Sequence, residues 1–149
     1  MKYHTDNELQ NFRFEGAYIA ETCAVNGIFE MILDNVTILP QNSCNRDIRE
    51  MRANELKLKI REPEITAFVE EGYKVYDADG NLKEKKEDIL IAAEDQAAKL
   101  KELEGCEIYS IEQEKGVYTG SIDTEDHTFM IKVSGSADAE EWDRFLSKD

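Results

Sequence analysis

The chain has 149 residues, of which 41% are hydrophobic and 34% charged, and 33 acidic against 18 basic residues give a net charge of −15. This length and apolar content exclude a disordered acidic tail, so we expect a single globular domain over residues 1–149. The charge disfavours contact with nucleic-acid phosphates or anionic membranes and favours a basic protein partner.

The first residues and the cysteines are typical of a cytoplasmic protein. No apolar run has the length of a signal peptide, and none approaches the ~20 residues that span a bilayer. Cys23, Cys44 and Cys106 are an odd number at wide spacing, without the C-x-x-C spacing of zinc or redox sites. We therefore expect free thiols, a cytoplasmic location and no membrane contact.

Two strand-like runs open the chain. The segments Phe12 to Glu21 and Gly27 to Leu39 are rich in aromatic and β-branched residues, and the turn-forming Asn26-Gly27 pair separates them. This pattern predicts a β-hairpin.

The middle of the chain continues with strand patterns. Three aliphatic residues alternate with three cations, in the order Leu56, Lys57, Leu58, Lys59, Ile60, Arg61. This period of two predicts a half-exposed strand, whose cations either protect a sheet edge or recognise an acidic peptide or phosphate. Strand-like residues resume over 65–76, and the turn signal at Asp77 to Asn81 predicts a second hairpin.

Two helices are predicted where the apolar period changes. Over Asp88 to Glu104, apolar residues fall on one helical face, with Asp88 as N-cap and Gly105 as the C-terminal stop. Residues 139–146 are predicted to form a short C-terminal helix, because Asp138 and Glu141 have the spacing of a capping box.

Three antiparallel strands are predicted between these helices, over residues 106–113, 117–123 and 128–133. The predicted class is therefore α+β. It consists of a mainly antiparallel sheet built from hairpins, arranged as a sandwich or an open barrel, with one long helix near 88–104 and a short C-terminal helix.

Parts of the two predicted hairpin regions resemble each other at an offset of 89 residues. The segment Glu15 to Ile19 aligns without gaps with Glu104 to Ile108, and Gly27-Ile28-Phe29 aligns with Gly116-Val117-Tyr118. A duplicated hairpin unit explains these matches, and so does the turn chemistry that all hairpins share.

No motif indicates catalysis, metal binding or nucleotide binding. The turn from Asp77 to Asn81 matches the first positions of an EF-hand loop, but Leu82 stands where that loop requires glycine. The chain has two histidines, His4 near the N-terminus and His127 in a predicted turn, and neither is interpreted as a catalytic base. Cys44 is best interpreted as an ordinary loop cysteine. We predict no catalytic residues, no metal site and no cofactor.

Acidic residues are the candidate partner-binding residues. They cluster along the chain as Glu62, Glu64, Glu70, Glu71, Glu125, Asp126, Glu140, Glu141 and Asp143. A net charge of −15 exceeds what the solubility of a small domain requires. The sequence therefore favours a non-catalytic acidic protein-binding module. One such module is an inhibitor or immunity-type protein that mimics nucleic acid and occupies the basic surface of a nucleic-acid-handling enzyme.

A second function class stays open. It is a small-ligand-binding domain, or a minor hydrolase that uses surface carboxylates. The first class predicts acidic side chains gathered on one surface, whereas the second predicts a cavity with convergent polar groups.

Overall fold

Antiparallel strands dominate the computed structural model, which describes residues 1–25 and 27–148. Strands account for 55% of the described residues, and their α-helix has seven residues. The α+β class predicted from the sequence is therefore wrong, and the fold is mainly antiparallel β-sheet. Within the described residues, no helix has both the length and the apolar character needed to cross a bilayer.

The elements of the described chain are strands, two 3-10 turns and one helix. The strands are β1 (Tyr3–Asp6), β2 (Phe12–Arg13), β3 (Tyr18–Val25), β4 (Ile28–Asp34), β5 (Val36–Ile38), β6 (Met51–Ala53), β7 (Leu56–Arg61), β8 (Glu64–Glu70), β9 (Tyr73–Tyr76), β10 (Leu82–Lys86), β11 (Ile89–Leu90), β12 (Glu107–Glu114), β13 (Val117–Asp123), β14 (Thr128–Ser134), β15 (Ala137–Trp142) and β16 (Leu146–Ser147). The 3-10 turns are Leu9–Asn11 and Ala93–Asp95, and the helix is α1 (Gln96–Glu102).

The long helix predicted over residues 88–104 is reduced to α1. Asp88, the expected N-cap, instead accepts a hydrogen bond from the backbone N–H of Gly72 at 2.7 Å. Ile89 belongs to β11 and pairs with β8. The apolar residues whose spacing predicted one long helix therefore belong to a short strand, β11, and to the shorter helix α1.

The C-terminal helix predicted over residues 139–146 is also wrong, because this segment contains most of β15. Ala and Glu favour a helix by intrinsic propensity. Here β15 pairs with β7 on one side and with β1 on the other, which places Glu140 and Trp142 inward and Glu141 outward. Burial and two neighbouring strands outweigh the weak local preference.

The predicted hairpins are present. β3 pairs with β4, and Gly27 in the turn has a φ of 72°, whereas Asn26 lies outside the described residues. β9 and β10 form the hairpin predicted at Asp77, whose N–H donates to the carbonyl of Asn81 at 2.8 Å. β12, β13 and β14 form the antiparallel run predicted after the helix.

A long curled sheet forms the centre of the molecule. Its ten strands have the order β1-β15-β7-β4-β3-β12-β13-β14-β8-β11, beside a four-stranded sheet β16-β6-β5-β2 and the two-stranded sheet β10-β9. β14 continues into β15, and β7 into β8, after only two residues. Because β14 pairs with β8 and β15 pairs with β7, these two long segments close the sheet into a six-stranded barrel.

Alternate side chains of the barrel strands fill its interior. Fully buried members include Ile19, Leu33, Leu56, Leu58, Ile108 and Ile122. The remaining space among them is about 30 Å³, room for about one water molecule. Trp142 connects the barrel to the four-stranded sheet, because its ring packs against Phe12 of β2 with 5.5 Å between centroids.

The sequence offset of 89 residues corresponds to a structural repeat. β3–β4 and β12–β13 have equal strand lengths and the same register, since Tyr18 faces Asp34 as Glu107 faces Asp123. Each hairpin has a bulge at the same position, after Ile19 in β3 and in the equivalent place of β12. Shared turn chemistry alone would not reproduce the register and the bulge.

The repeat extends to two halves, residues 3–70 and 89–142. The third strands of the two halves, β7 and β14, also have matching register. Leu58 of β7 faces Met31, and Ile131 of β14 faces Gly120, which is the residue equivalent to Met31. The fourth strand of each half, β8 or β15, then pairs with the third strand of the other half. Residues 71–88, which we call the connector, join the halves and contain β9 and β10.

Candidate protein-interaction surfaces

Acidic side chains from two distant segments gather around one cleft. The cleft has a volume of about 310 Å³ and lies between the end of β8 and the turn from β13 to β14. We call its four acidic residues, Glu71, Asp123, Glu125 and Asp126, the acidic cleft. The backbone N–H of Glu71 donates to the carbonyl of Thr128 at 2.8 Å, so main-chain bonding holds the two segments together.

Hydrogen bonds to Thr124 hold the backbone of the turn that contains Glu125 and Asp126. The hydroxyl of Thr124 accepts a bond from the backbone N–H of His127 at 2.9 Å. Glu71, Glu125 and Asp126 are exposed, and no cation of the described residues forms an ion pair with them. Their charges therefore face solvent without local neutralisation.

The structure brings together only three of the predicted partner-binding residues, namely Glu71, Glu125 and Asp126. Glu62 and Glu64 lie at the opposite end of β8 and are exposed. Glu70 is 3.1 Å from the ammonium group of Lys86, whose hydrogen bond lowers the pKa of this carboxyl. Asp143 is exposed and accepts a backbone hydrogen bond at 3.1 Å.

The lysines of β7 are paired with acids on neighbouring strands. Lys57 is 3.3 Å from Glu30 on β4, and Lys59 is 3.2 Å from Glu141 on β15. Burial alone would raise the pKa of Glu141, but hydrogen bonds with Lys59 and His4 outweigh it and lower the pKa. β7 lies between β4 and β15, so these lysines do not protect a sheet edge.

The connector and β11 expose apolar side chains, and one of them lies at the acidic cleft. We define the connector patch as the six exposed apolar residues from the connector and β11, which are Tyr73, Val75, Tyr76, Leu82, Ile89 and Leu90. Leu90 is 78% exposed, and Tyr73 also lines the cleft. The sequence pattern indicated a strand for Tyr73 to Tyr76 and a helix for Ile89 and Leu90, although two tyrosines in a short, otherwise polar hairpin are a signal of an exposed apolar surface.

A larger groove lies on another side of the barrel. It has a volume of about 880 Å³ and runs between residues 9–15 and the outer edge of β12, Tyr109–Glu114. We call it the edge groove. Its charged lining is mixed, comprising Arg13, Glu15, Glu112, Glu114, Lys115 and Lys132. Sequence analysis did not predict it, because it depends on the packing of segments about 100 residues apart.

Glu140 is not part of any acidic surface, because it is fully buried in a polar cluster inside the barrel. Its carboxylate accepts a hydrogen bond from the hydroxyl of Thr5 at 2.7 Å, and that of Asp138 accepts one from Tyr118 at 2.7 Å. If both carboxyl groups were ionised, their second oxygens would have no donor among the described residues. We call Thr5, Tyr118, Asp138 and Glu140 the buried polar cluster.

Burial is the main cause of a strongly raised pKa at Glu140, and the adjacent Asp138 adds to it through a hydrogen bond and charge repulsion. Glu140 is therefore protonated at neutral pH. Burial and the hydrogen bond with Asp138 also raise the pKa of Tyr118.

The other half of the barrel has apolar residues at the equivalent positions. By strand register, Tyr118 corresponds to Phe29, Asp138 to Ile65 and Glu140 to Phe68. Phe29 and Phe68 are buried. The polar cluster is thus a difference between two halves that otherwise share their register.

The remaining motif candidates have structural explanations. The carboxylate of Asp77 accepts hydrogen bonds from the backbone N–H groups of Asp79 and Asn81, both at 2.9 Å, as in an ordinary turn. Among residues 1–25 and 27–148, no group of His, Cys, Asp and Glu side chains has a geometry that could hold a metal ion. Cys44 is half-buried, and its thiol lies 3.6 Å from the carbonyl of His4.

Comparison of the chain with protein-family models, with curated proteins and with solved structures gives no match in any of the three.

Proposed function

We propose that this protein is a non-catalytic binding module, and that the acidic cleft and the connector patch together contact a basic protein partner. The observation that carries the proposal is the position of the cleft, where unpaired acids from two segments lie beside the exposed Tyr73 of the connector patch. Protein interfaces combine an apolar centre with a charged rim in this way.

The electrostatics support a basic partner. Glu71, Glu125 and Asp126 have no ion pair with cations of the described residues, so a partner's lysines and arginines would not displace an internal bond. The net charge of −15 would add long-range attraction and a high association rate. A nucleic-acid-handling enzyme presents such a basic surface, and an inhibitor or immunity-type protein would occupy it as a nucleic-acid mimic.

Reversing the charge of the acidic cleft is expected to abolish partner binding. The variant Glu71→Lys/Glu125→Lys/Asp126→Lys removes the attraction locally, and we expect capture of the partner from host lysate at low salt to fall by at least about tenfold. The measurement is affinity capture with quantitative mass spectrometry, repeated at high salt, where wild-type capture should also weaken.

The matched control reverses three exposed acids outside the cleft, in the variant Glu21→Lys/Glu55→Lys/Glu94→Lys. This control has the same net charge and should retain the partner. Equal loss in both variants would show that total charge and not the cleft determines capture. Absence of any basic protein in the wild-type capture would contradict the proposal outright.

The second function class, small-ligand binding or hydrolysis, has one supporting observation. The edge groove, at about 880 Å³, lies within the volume range of small-molecule sites. One wall of this groove is the open edge of a strand, however, and such an edge suits an extended chain better than a compact molecule.

A further inference from the structure

The edges of β3 and β12 occupy equivalent positions in the two halves. The two strands pair with each other only at their beginnings, and beyond the bulge each has a neighbour on one side only. Thr22 of β3 faces Met31 in the same register in which Ile111 of β12 faces Gly120. The backbone groups of Thr22 and Ile111 therefore point in equivalent directions.

In the first half, two side chains occupy this edge. The backbone N–H of Thr22 donates to the carboxylate of Glu104 at 2.9 Å, and its carbonyl accepts a bond from the ammonium group of Lys101 at 2.6 Å. Both partners come from α1 and the turn that follows it. The N–H and C=O of Thr22 therefore point away from β4 and towards the helix.

In the second half, the equivalent backbone groups face the edge groove. The N–H and C=O of Ile111 point away from β13, and outside the β-ladder no described residue forms a hydrogen bond with them. The wall opposite them is the 3-10 turn Leu9–Asn11 and β2, where the first edge has a helix. The residue that corresponds to Glu104 is Glu15, which is exposed and has no hydrogen-bond partner among the described residues.

We propose that the edge groove binds an extended peptide segment of a partner protein, which adds to the open edge of β12 as a further strand. The peptide main chain supplies the acceptor and the donor that Glu104 and Lys101 supply to β3. This inference does not depend on the acidic cleft, which lies on a different part of the barrel surface.

The spacing of the groups selects an extended chain. Along six residues, Tyr109–Glu114, edge-facing backbone groups recur at every second residue, about 7 Å apart. A main chain in β conformation has the same repeat, whereas a compact small molecule satisfies one pair of groups at most.

The walls of the groove define the side chains of the bound segment. Tyr109, Ile111 and Val117 supply exposed or half-exposed apolar surface within the groove, and charged residues of both signs form the rim. The segment should therefore alternate apolar residues with polar ones. A second copy of the barrel fits less well, because its own β12 edge lies behind residues 9–15 and cannot approach this one.

A library of linear 12-residue peptides displayed on phage provides the probe. Selection on the intact protein should yield alternating apolar and polar sequences, and synthetic copies should slow hydrogen exchange of the Ile111 amide as seen by NMR. N-methylation of the peptide at alternate residues should weaken binding by at least about tenfold, while methylation of the intervening residues should have little effect.

Ile111→Pro removes the edge-facing N–H and should abolish binding, whereas Ile111→Val keeps it and should bind normally. If the proline variant does not fold, the effect of peptide N-methylation on binding still tests the proposal. Failure to select any peptide would overturn the proposal. So would selected peptides that leave the hydrogen exchange of the Ile111 amide unchanged, or a dimer in analytical ultracentrifugation that protects Ile111 without peptide.

The charge-reversed acidic-cleft variant should bind these peptides as the unmodified protein does. Failure of this proposal is therefore distinguishable from failure of the proposed function.

Discussion

Replacing Glu140 with Gln is expected to remove a decline in stability that the unmodified protein shows as pH rises from about 6 to about 9. The folded protein keeps a proton on Glu140, because burial and the adjacent Asp138 raise its pKa. The unfolded chain releases that proton above its ordinary carboxyl pKa. Rising pH therefore favours unfolding by up to about 1.4 kcal/mol per pH unit through this group.

Urea unfolding at several pH values measures the effect. The stabilising contribution is fully present below the carboxyl pKa of the unfolded chain and is lost as pH rises towards the raised pKa of the folded state. The substituted glutamine is neutral throughout and can still accept the hydrogen bond of Thr5, so the variant should show a flatter profile. Glu141→Gln, on the outer face of the same strand, is the control and should keep the decline. Identical pH profiles for the unmodified protein and Glu140→Gln would mean that Glu140 is ionised in the fold.

Truncation of Trp142 to Ala is expected to cost about 3–5 kcal/mol of unfolding free energy. The side chain is 0% exposed and packs against Tyr3, Phe12 and Phe145, with ring centroids 5.5–5.8 Å apart. Its loss leaves a cavity where the barrel meets the four-stranded sheet. Circular dichroism should follow the unfolding, because Trp142 is the single tryptophan and its fluorescence disappears with it.

Phe145→Ala is the matched control. Phe145 belongs to the same aromatic group but is only half-buried, so its truncation should cost clearly less. Equal losses from the two substitutions would show that Trp142 has no special place in the junction.

Hairpins were predictable from the sequence because their signals are local. The turns near Gly27 and Asp77 and the alternation of Leu56, Leu58 and Ile60 each lie within a few residues, and all three correspond to observed strands or turns. Even the repeat was visible at an offset of 89 residues. Its register, bulges and exchanged fourth strands required the structure.

The wrong helices have a common cause. In both segments, local spacing and helix-favouring residues were outweighed by pairing with strands from earlier parts of the chain. Ala137–Trp142 pairs with β7, which precedes it by about 80 residues, and Ile89–Leu90 pairs with β8. The polar residues of β15 face inward to the buried polar cluster, and a single sequence offers no sign of that arrangement.

The candidate surfaces were predictable only in part. The charge pattern placed Glu71, Glu125 and Asp126 in acidic pairs along the chain, but their gathering around one cleft depends on the pairing of β8 with β14. The same pattern included Glu140, because an acidic residue is ordinarily exposed. No local sequence pattern indicates the edge groove, because its open wall consists of backbone N–H and C=O groups. The direction in which these groups point depends on how β12 pairs with β13.

The exchange of fourth strands has a consequence for biosynthesis. A ribosome synthesises residues 3–70 first, and at that moment β8 lacks β14 while β7 lacks β15. Strand β1 lacks its partner β15 for the longest time, because Thr5 and Glu140 are 135 residues apart in the chain. β3, β4 and β7 can pair within the first half, but the pairing of β7 with β15 and of β8 with β14 requires residues 128–142, and repulsion among the many acidic groups would oppose aggregation of these open strand edges until then.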